Sequence, residues 1–371
     1  NITYGDDNTF VGYNAGYHND VGTDNTFIGR SAGYWNDNDN EGAATGNDNT
    51  FIGNEAGNGN KGGDMNTFVG DSSGRSNATG HENTFIGQAA GYFNVEGDHN
   101  VFLGASAGYN NEDASDNTFI GYQAGENNTT GSGNVYIGSG SGNDNISGIN
   151  CVFIGDGSGE YNTASTNTFI GKHSGHKNTS GTPNTFVGYR AGYENETSNG
   201  NTFIGHCSGQ NNDNDDQGEA TGNNNTFLGH QAGRENRAGG SNTFVGHDAG
   251  LNSVTGGSNT FIGSGAGYKN SSASDNIFIG RASGYNTTTG HSNTIVGTHS
   301  GNQNVSGSYN VYMGKNSGHY SSGDRNTFIG TDTGFAWTGD GNVLIGASVG
   351  GPFVQNASNR LYIANSDTSY P

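Results

Sequence analysis

Two segments of this chain carry oxygen donors at a spacing that suits a hard cation. The first reads Asp37-Asn38-Asp39-Asn40-Glu41-Gly42 and the second Asp213-Asn214-Asp215-Asp216-Gln217-Gly218. Alternating donors that close on a glycine match the opening of a calcium loop, where the glycine allows a sharp turn. Asp37, Asp39 and Glu41, with Asp213 and Asp215, are therefore the candidate calcium ligands. The distal bidentate Glu of such a loop is missing, because Asp48 and Asn224 stand there. The plainer reading is two polar surface excursions, whose projection also makes them candidate contact loops. A second group, His206, His230 and His247, could bind metal or respond to pH if the imidazoles lie side by side; the plainer reading is aligned, exposed turn residues. No Ser-His-Asp, Cys-His or paired-carboxylate arrangement stands out, and no P-loop Lys follows the Gly-x-x-x-Gly spacings, so the chain reads as a non-enzyme.

What positions these residues is a repeat. A pentapeptide of the form Asn-Thr-Phe-Ile-Gly recurs along the chain, mostly at intervals of 17, as in 83 − 66 and 259 − 242. A typical unit is Asn83-Thr84-Phe85-Ile86-Gly87-Gln88-Ala89-Ala90-Gly91-Tyr92-Phe93-Asn94 followed by a variable turn. With Asn as position 1, positions 5 and 9 are Gly in all twenty regular copies, position 8 is small and position 12 is usually Asn. A short β-branched and aromatic run followed by glycines reads as a strand and a tight turn. Seventeen residues accommodate two short strands and two turns, one coil of a flattened solenoid, with like side chains stacked at the strand spacing of about 4.8 Å. The fold class is thus all-β, a parallel β-solenoid (β-roll) of about twenty coils; this glycine density excludes a helical repeat. The position-1 Asn should form an amide ladder at a corner.

A larger period lies above the first. Two intervals are 24, namely 49 − 25 and 225 − 201, and Val101, Val135 and Tyr136 recur as Ile277, Val311 and Tyr312. We read a ten-coil block, residues 1–183, duplicated as 184–359, with a degenerate terminal coil over 360–371.

Composition agrees. Gly supplies 69 of 371 residues and only 29% are hydrophobic, yet aromatics reach 11% and there are 3 Pro, which argues against disorder. The net charge of −21 repels nucleic acid and anionic lipid. No apolar run approaches the ~20 residues of a membrane span, so neither nucleic-acid binding nor membrane insertion is expected. Without a signal peptide at Asn1, the chain reads as the mature piece of a longer, extracellular protein. Cys151 and Cys207 occupy different repeat positions in different coils, which suits buried free thiols rather than a bridge.

Position 4 is always aliphatic or Met, and position 3 is aromatic in nearly every coil, including Phe10, Phe27, Phe51, Phe68, Phe85, Phe119, Phe169, Phe186, Phe203, Phe227, Phe244 and Phe261. A strand presents these two positions to opposite faces. A thin coil has one inside, so one apolar column is left over and is expected at an interface with other copies of the chain. The Thr column at position 2 suggests an ice-binding face, although it is one residue wide and its sequence neighbour is Phe. Position-10 tyrosines (Tyr17, Tyr34, Tyr92, Tyr109, Tyr193, Tyr268 and Tyr285) could stack on sugar rings or form a ladder of their own.

The units Asn25-Thr26-Phe27-Ile28-Gly29 and Ser31-Ala32-Gly33 resemble the head repeats of trimeric autotransporter adhesins, the YadA-like β-roll, in which Asn-Ser-Val-Ala-Ile-Gly precedes a small residue and a further Gly. The run Asn359-Arg360-Leu361-Tyr362-Ile363-Ala364-Asn365-Ser366-Asp367 resembles the segment that follows such repeats in bacterial surface proteins and phage-type tail fibres. This repeat departs from the family in being longer and aromatic at position 3. The resemblance covers Asn8 to Gly350. It implies an intimate homotrimer at the cell surface or in a virion tail fibre, binding surfaces or cell-surface glycans multivalently; the rival is a structural shaft without a ligand.

The duplication predicts that residues 184–371, cut at Thr182-Pro183, fold alone as a shorter β-rich rod, since coils contact mainly their neighbours. Circular dichroism and electron microscopy of the two halves check this; an unfolded second half, where the full chain folds, refutes it.

Overall fold

Each repeat opens with a three-residue strand, of which Thr84–Ile86 is typical. Thr, Phe and Ile suit a pleated surface, and the glycine that follows ends the extended run. The computed structural model describes residues 5–36, 46–213, 221–351 and 356–364. The chain divides into two compact units, Asn1–Thr182 and Pro183–Pro371. Among the described residues the first holds ten strands, from Thr9–Val11 to Thr168–Ile170, and the second eleven, from Thr185–Val187 to Leu361–Ile363. Among the described residues there is no helix, and none that could cross a membrane.

Within each unit every strand pairs in parallel with the next in sequence, like residue on like: Thr84 on Val101, Phe85 on Phe102 and Ile86 on Leu103. Each unit is therefore a parallel β-solenoid. Register survives the 24-residue coils, where Thr26 still meets Thr50 and Thr202 still meets Thr226. It survives a 16-residue coil as well, with Val152 on Thr168. Length varies in the turn after position 12, which the Asn there closes in most coils. Asn94 Nδ2 donates to the Gly97 carbonyl at 2.9 Å, Asn36 Nδ2 to Gly46 across the first long turn at 2.6 Å, and Asn162 Nδ2 to Ala164 in the short coil at 2.6 Å.

The coil differs from the expected one in having one strand rather than two. Positions 5 to 9 contain three residues at positive φ, for example Gly87 at 139°, Ala89 at 53° and Gly91 at 57°, and no strand propagates through them. The far side of the coil runs instead as turns bonded to the next coil, as in Gly91 N–H to the Ala107 carbonyl and Phe93 N–H to Tyr109.

Three columns of larger side chains fill the interior, beside the small buried Ala and Ser at position 8. Position-3 rings stack face to face through the first unit, from Phe10 to Phe169, with centroids 4.7 to 5.0 Å apart. Phe27 to Phe169 are fully buried, and only the terminal Phe10 is half-buried. The second unit repeats this from Phe186 to Phe278, after which Ile295 and Leu344 interrupt it. The other two columns are asparagines. At position 1, Asn100 N–H donates to Asn83 Oδ1 at 2.9 Å, and Asn83 Nδ2 donates to the Gly97 carbonyl at 2.8 Å. At position 12, Asn94 Nδ2 donates to Asn77 Oδ1 at 2.7 Å. A buried polar group is costly unless bonded, and these amides bond to one another and to the turn they support. The sequence puts Asn where a short side chain must both donate and accept.

Gly91 explains why a ring fits. A Cβ on Gly91 would lie 2.5 Å from the Phe85 ring, and φ there is +57°, a conformation that favours glycine. Phe85→Ala is predicted to cost about 3–5 kcal/mol in urea denaturation. Gly91→Ala, which keeps the ring and overfills its slot, should cost about 1–3 kcal/mol. An unchanged midpoint for Gly91→Ala would show that the ring is not held there.

Candidate functional site

The residues that reach solvent in a regular array are those on the outer side of the strand. Thr84 and Ile86 alternate with buried Phe85 and point away from it. The same holds along both units. The position-4 side chain is well exposed at Ile28, Ile52, Ile86, Leu103, Ile204, Leu228, Ile262, Ile279 and Met313, and half-buried elsewhere along the column, apart from exposed Val11 and Ile363 at the ends. Its neighbour on this face is position 2, Thr in most coils and Val or Ile in the rest, with Val101 40% and Ile277 42% exposed. The face of each unit is thus two columns wide. Columns stand about 6.7 Å apart and rows about 4.8 Å apart, from the strand rise and strand spacing. The Thr column is one residue wide, as the sequence indicates, but its neighbour on this face is the aliphatic position 4 rather than Phe, which lies inside. The left-over apolar column is position 4, while the Phe column from Phe27 onward is the chain's own interior.

The tyrosines form pairs. Tyr17 stacks on Tyr34 at 5.3 Å, Tyr92 on Tyr109 at 5.0 Å and Tyr268 on Tyr285 at 4.7 Å. Each of these rings has one face covered by its partner. Tyr92 also accepts a bond from Arg75 Nη1 at 2.8 Å, and Arg75 Nε donates to Glu55 at 2.8 Å. Tyr193 instead carries the Arg190 guanidinium 5.1 Å from its ring centre.

Of the candidate calcium ligands, Asp37, Asp39, Glu41 and Asp215 lie outside the described residues. Asp213 is buried, and its Oδ2 accepts from Thr197 N–H at 2.7 Å, Thr197 Oγ1 at 2.8 Å and Ser198 N–H at 2.9 Å. That oxygen braces the turn of the preceding coil.

The structure brings the three histidines together. His206 and His230 stack at 5.1 Å and His230 and His247 at 4.9 Å, with planes within 10°. Asp248 lies against the column, 3.1 Å from His247 Nδ1 and 3.9 Å from His230 Nδ1. The ligating atoms of His230, His247 and Asp248 all lie within 4.8 Å of one another, so this end of the column can hold a metal ion, with both imidazoles exposed. A second set, Glu160, His173 and His176, meets within the same distance and is half-buried, and sequence reasoning missed it. The signal available was His-x-x-His with an acidic residue at the same repeat position one coil earlier.

Both cysteines are free and buried. Cys151 takes an Asn place in the position-1 ladder: its N–H donates to Asn134 Oδ1 at 2.9 Å and its Sγ lies 3.3 Å from the Ala164 carbonyl. Burial pushes its thiol up to about 11 and holds the Tyr136 hydroxyl, bonded to Asn145 Nδ2 at 2.7 Å, well above the ordinary range.

No protein-family model matches the chain, and the search of curated proteins finds no match.

Cys151 predicts an alkaline signature. The unfolded thiol ionises from about pH 8.5, while the folded one stays protonated to about 11. The folded state therefore holds the extra proton between those values. Its contribution is intact below the lower value and is lost as pH rises through the window. Cys151→Asn, which restores the ladder residue, should be at least as stable as the natural chain at pH 7. At pH 10.5 its relative stability should improve by about 2 kcal/mol. Urea denaturation at the two pH values checks this, and a difference independent of pH would refute it.

Proposed function

We propose that the chain is a length of extracellular fibre, at a cell surface or in a virion tail, that acts by contact rather than catalysis. It associates with copies of itself, as a homotrimer, through the position-2 and position-4 face and holds surfaces, glycans among them, through its turns. The observation that carries this is the exposed position-4 column. Aliphatic side chains repeated in register make an apolar stripe of a kind that soluble proteins cover, and closed cyclic symmetry covers it equally in every copy. The turns then recur as an array, in which weak contacts add. The resemblance to trimeric adhesin heads supports three-fold closure.

Light scattering coupled to size exclusion tests the assembly. The chain should run at three times its mass, and Ile86→Lys with Leu103→Lys and Ile120→Lys should run as a folded monomer, because charge buried without a partner is excluded from an apolar interface. A monodisperse natural monomer would refute it. A glycan array on the assembled protein separates the adhesive fibre from a plain shaft.

One observation favours a second reading. Left uncovered, the flat face is a lattice of Thr hydroxyls and methyl groups, two columns wide rather than one, of the kind that could hold ordered water and bind ice. A monomer that shapes growing ice crystals would establish that reading in place of the first.

A further inference from the structure

The cluster of Glu160, His173 and His176 lies at the last two coils of the first unit. Glu160 and His176 occupy position 10 of successive coils, and His173 occupies position 7, at a φ of 54°. The ligating atoms of the three side chains all lie within 4.8 Å of one another. All three are half-buried. His173 and His176 stand 4.9 Å apart with planes at 75°, so their nitrogens can point toward a common position. His176 Nδ1 is 3.3 Å from Glu160 Oε2. That separation matches the edge of a tetrahedron whose bonds are about 2.0–2.1 Å long, which is about 3.4 Å.

Gly157 keeps the space open. It holds position 7 of its coil, where Ala89 and Ser106 carry side chains in theirs. A Cβ on Gly157 would lie 2.6 Å from His173 Nδ1 and 3.1 Å from Glu160 Oε2. Its carbonyl is 3.1 Å from His176 Nδ1, so the imidazole proton has a bonding partner in the metal-free protein. Lys172 Nζ, one residue before His173, is 3.6 Å from Asp156. The edge of the Tyr161 ring packs against His176 at 5.1 Å.

We propose that Glu160, His173 and His176 bind a divalent transition metal, zinc in preference to calcium or magnesium, as three ligands of a tetrahedral site with its fourth position open. Two imidazoles and one carboxylate are a borderline donor set that suits zinc, whereas calcium takes six or more oxygens. Binding replaces the protons held on the ligands, so it weakens as pH falls.

The test uses the full chain without an affinity tag, stripped of metal and titrated with cobalt(II). The expected result is one tetrahedral cobalt absorption band per chain, abolished by one equivalent of zinc and untouched by excess calcium. His173→Ala and His176→Ala should each abolish the band. Glu160→Gln, which removes a direct ligand, should weaken cobalt at least as much as loss of an outer-shell partner does, roughly tenfold or more. Gly157→Ala, which leaves all three ligands in place, should weaken it by filling the site. His230→Ala with His247→Ala should leave the band intact. Circular dichroism of each variant confirms that the coils remain folded, and zinc should raise the melting temperature of the natural chain but not of His176→Ala. Absence of a tetrahedral band in the natural chain would overturn the proposal. So would a band that survives His173→Ala or that disappears with the His230 and His247 substitutions.

Discussion

Every coil must repeat the path of its neighbour at the spacing of one hydrogen-bonded strand, and the rest of the structure follows from that closeness. A Cβ on Gly87 would lie 2.5 Å from the carbonyl oxygen of Gly104 in the next coil. Position 5 is glycine for that reason in all twenty regular copies. The same spacing allows flat rings to stack in contact and lets one short amide reach the next, so Phe and Asn are repeated rather than merely tolerated. Bulk in the interior comes from few residue types because the same slot recurs. That is how a chain with 29% hydrophobic residues sustains a buried column.

The spacing also makes the outside regular. Once Phe85 turns inward, Thr84 and Ile86 turn outward, and the alternation is reproduced in each coil without change of register. The aliphatic column is therefore as ordered as the interior, although its side chains are half-buried to exposed. In the proposed fibre this order suits a partner with the same period, which another copy supplies by construction. The variable residues are confined to the turn after position 12, so insertions such as the 24-residue coils leave both the core and the outer face unaltered.

The repeat, the parallel solenoid and the buried asparagine ladder are legible in the sequence because each depends on identity at a fixed interval. Which of two apolar columns faces inward is harder to read. Phe85 and Ile86 are both apolar, and three residues of alternation carry no label for the inner side. The deciding partner is Gly91, six residues on, whose missing Cβ makes room for the ring. The single strand per coil was hidden for a related reason, since Ala89 and its counterparts adopt positive φ without being glycine. Of the candidate sites, the histidine column follows from the interval alone. The meeting of Glu160 with His173 and His176 requires knowing that positions 7 and 10 lie side by side across coils and that the coil between them is one residue short.

The asparagine ladders have a direction. At position 1 the later coil donates its N–H to the Oδ1 of an earlier Asn, as Asn49 does to Asn25 and Asn242 does to Asn225. At position 12 the later side chain likewise donates to the earlier, as Asn60 does to Asn36. Aligned bonds of this kind leave a stack chemically unlike at its two ends. A coil arriving on the C-terminal side brings donors to waiting oxygens, and one arriving on the N-terminal side must bring oxygens to waiting N–H groups. Such a stack has a head and a tail in the sense that a polar filament does. Two cut pieces would meet head to tail and never head to head, so any seal at one end must be made of different residues from a seal at the other.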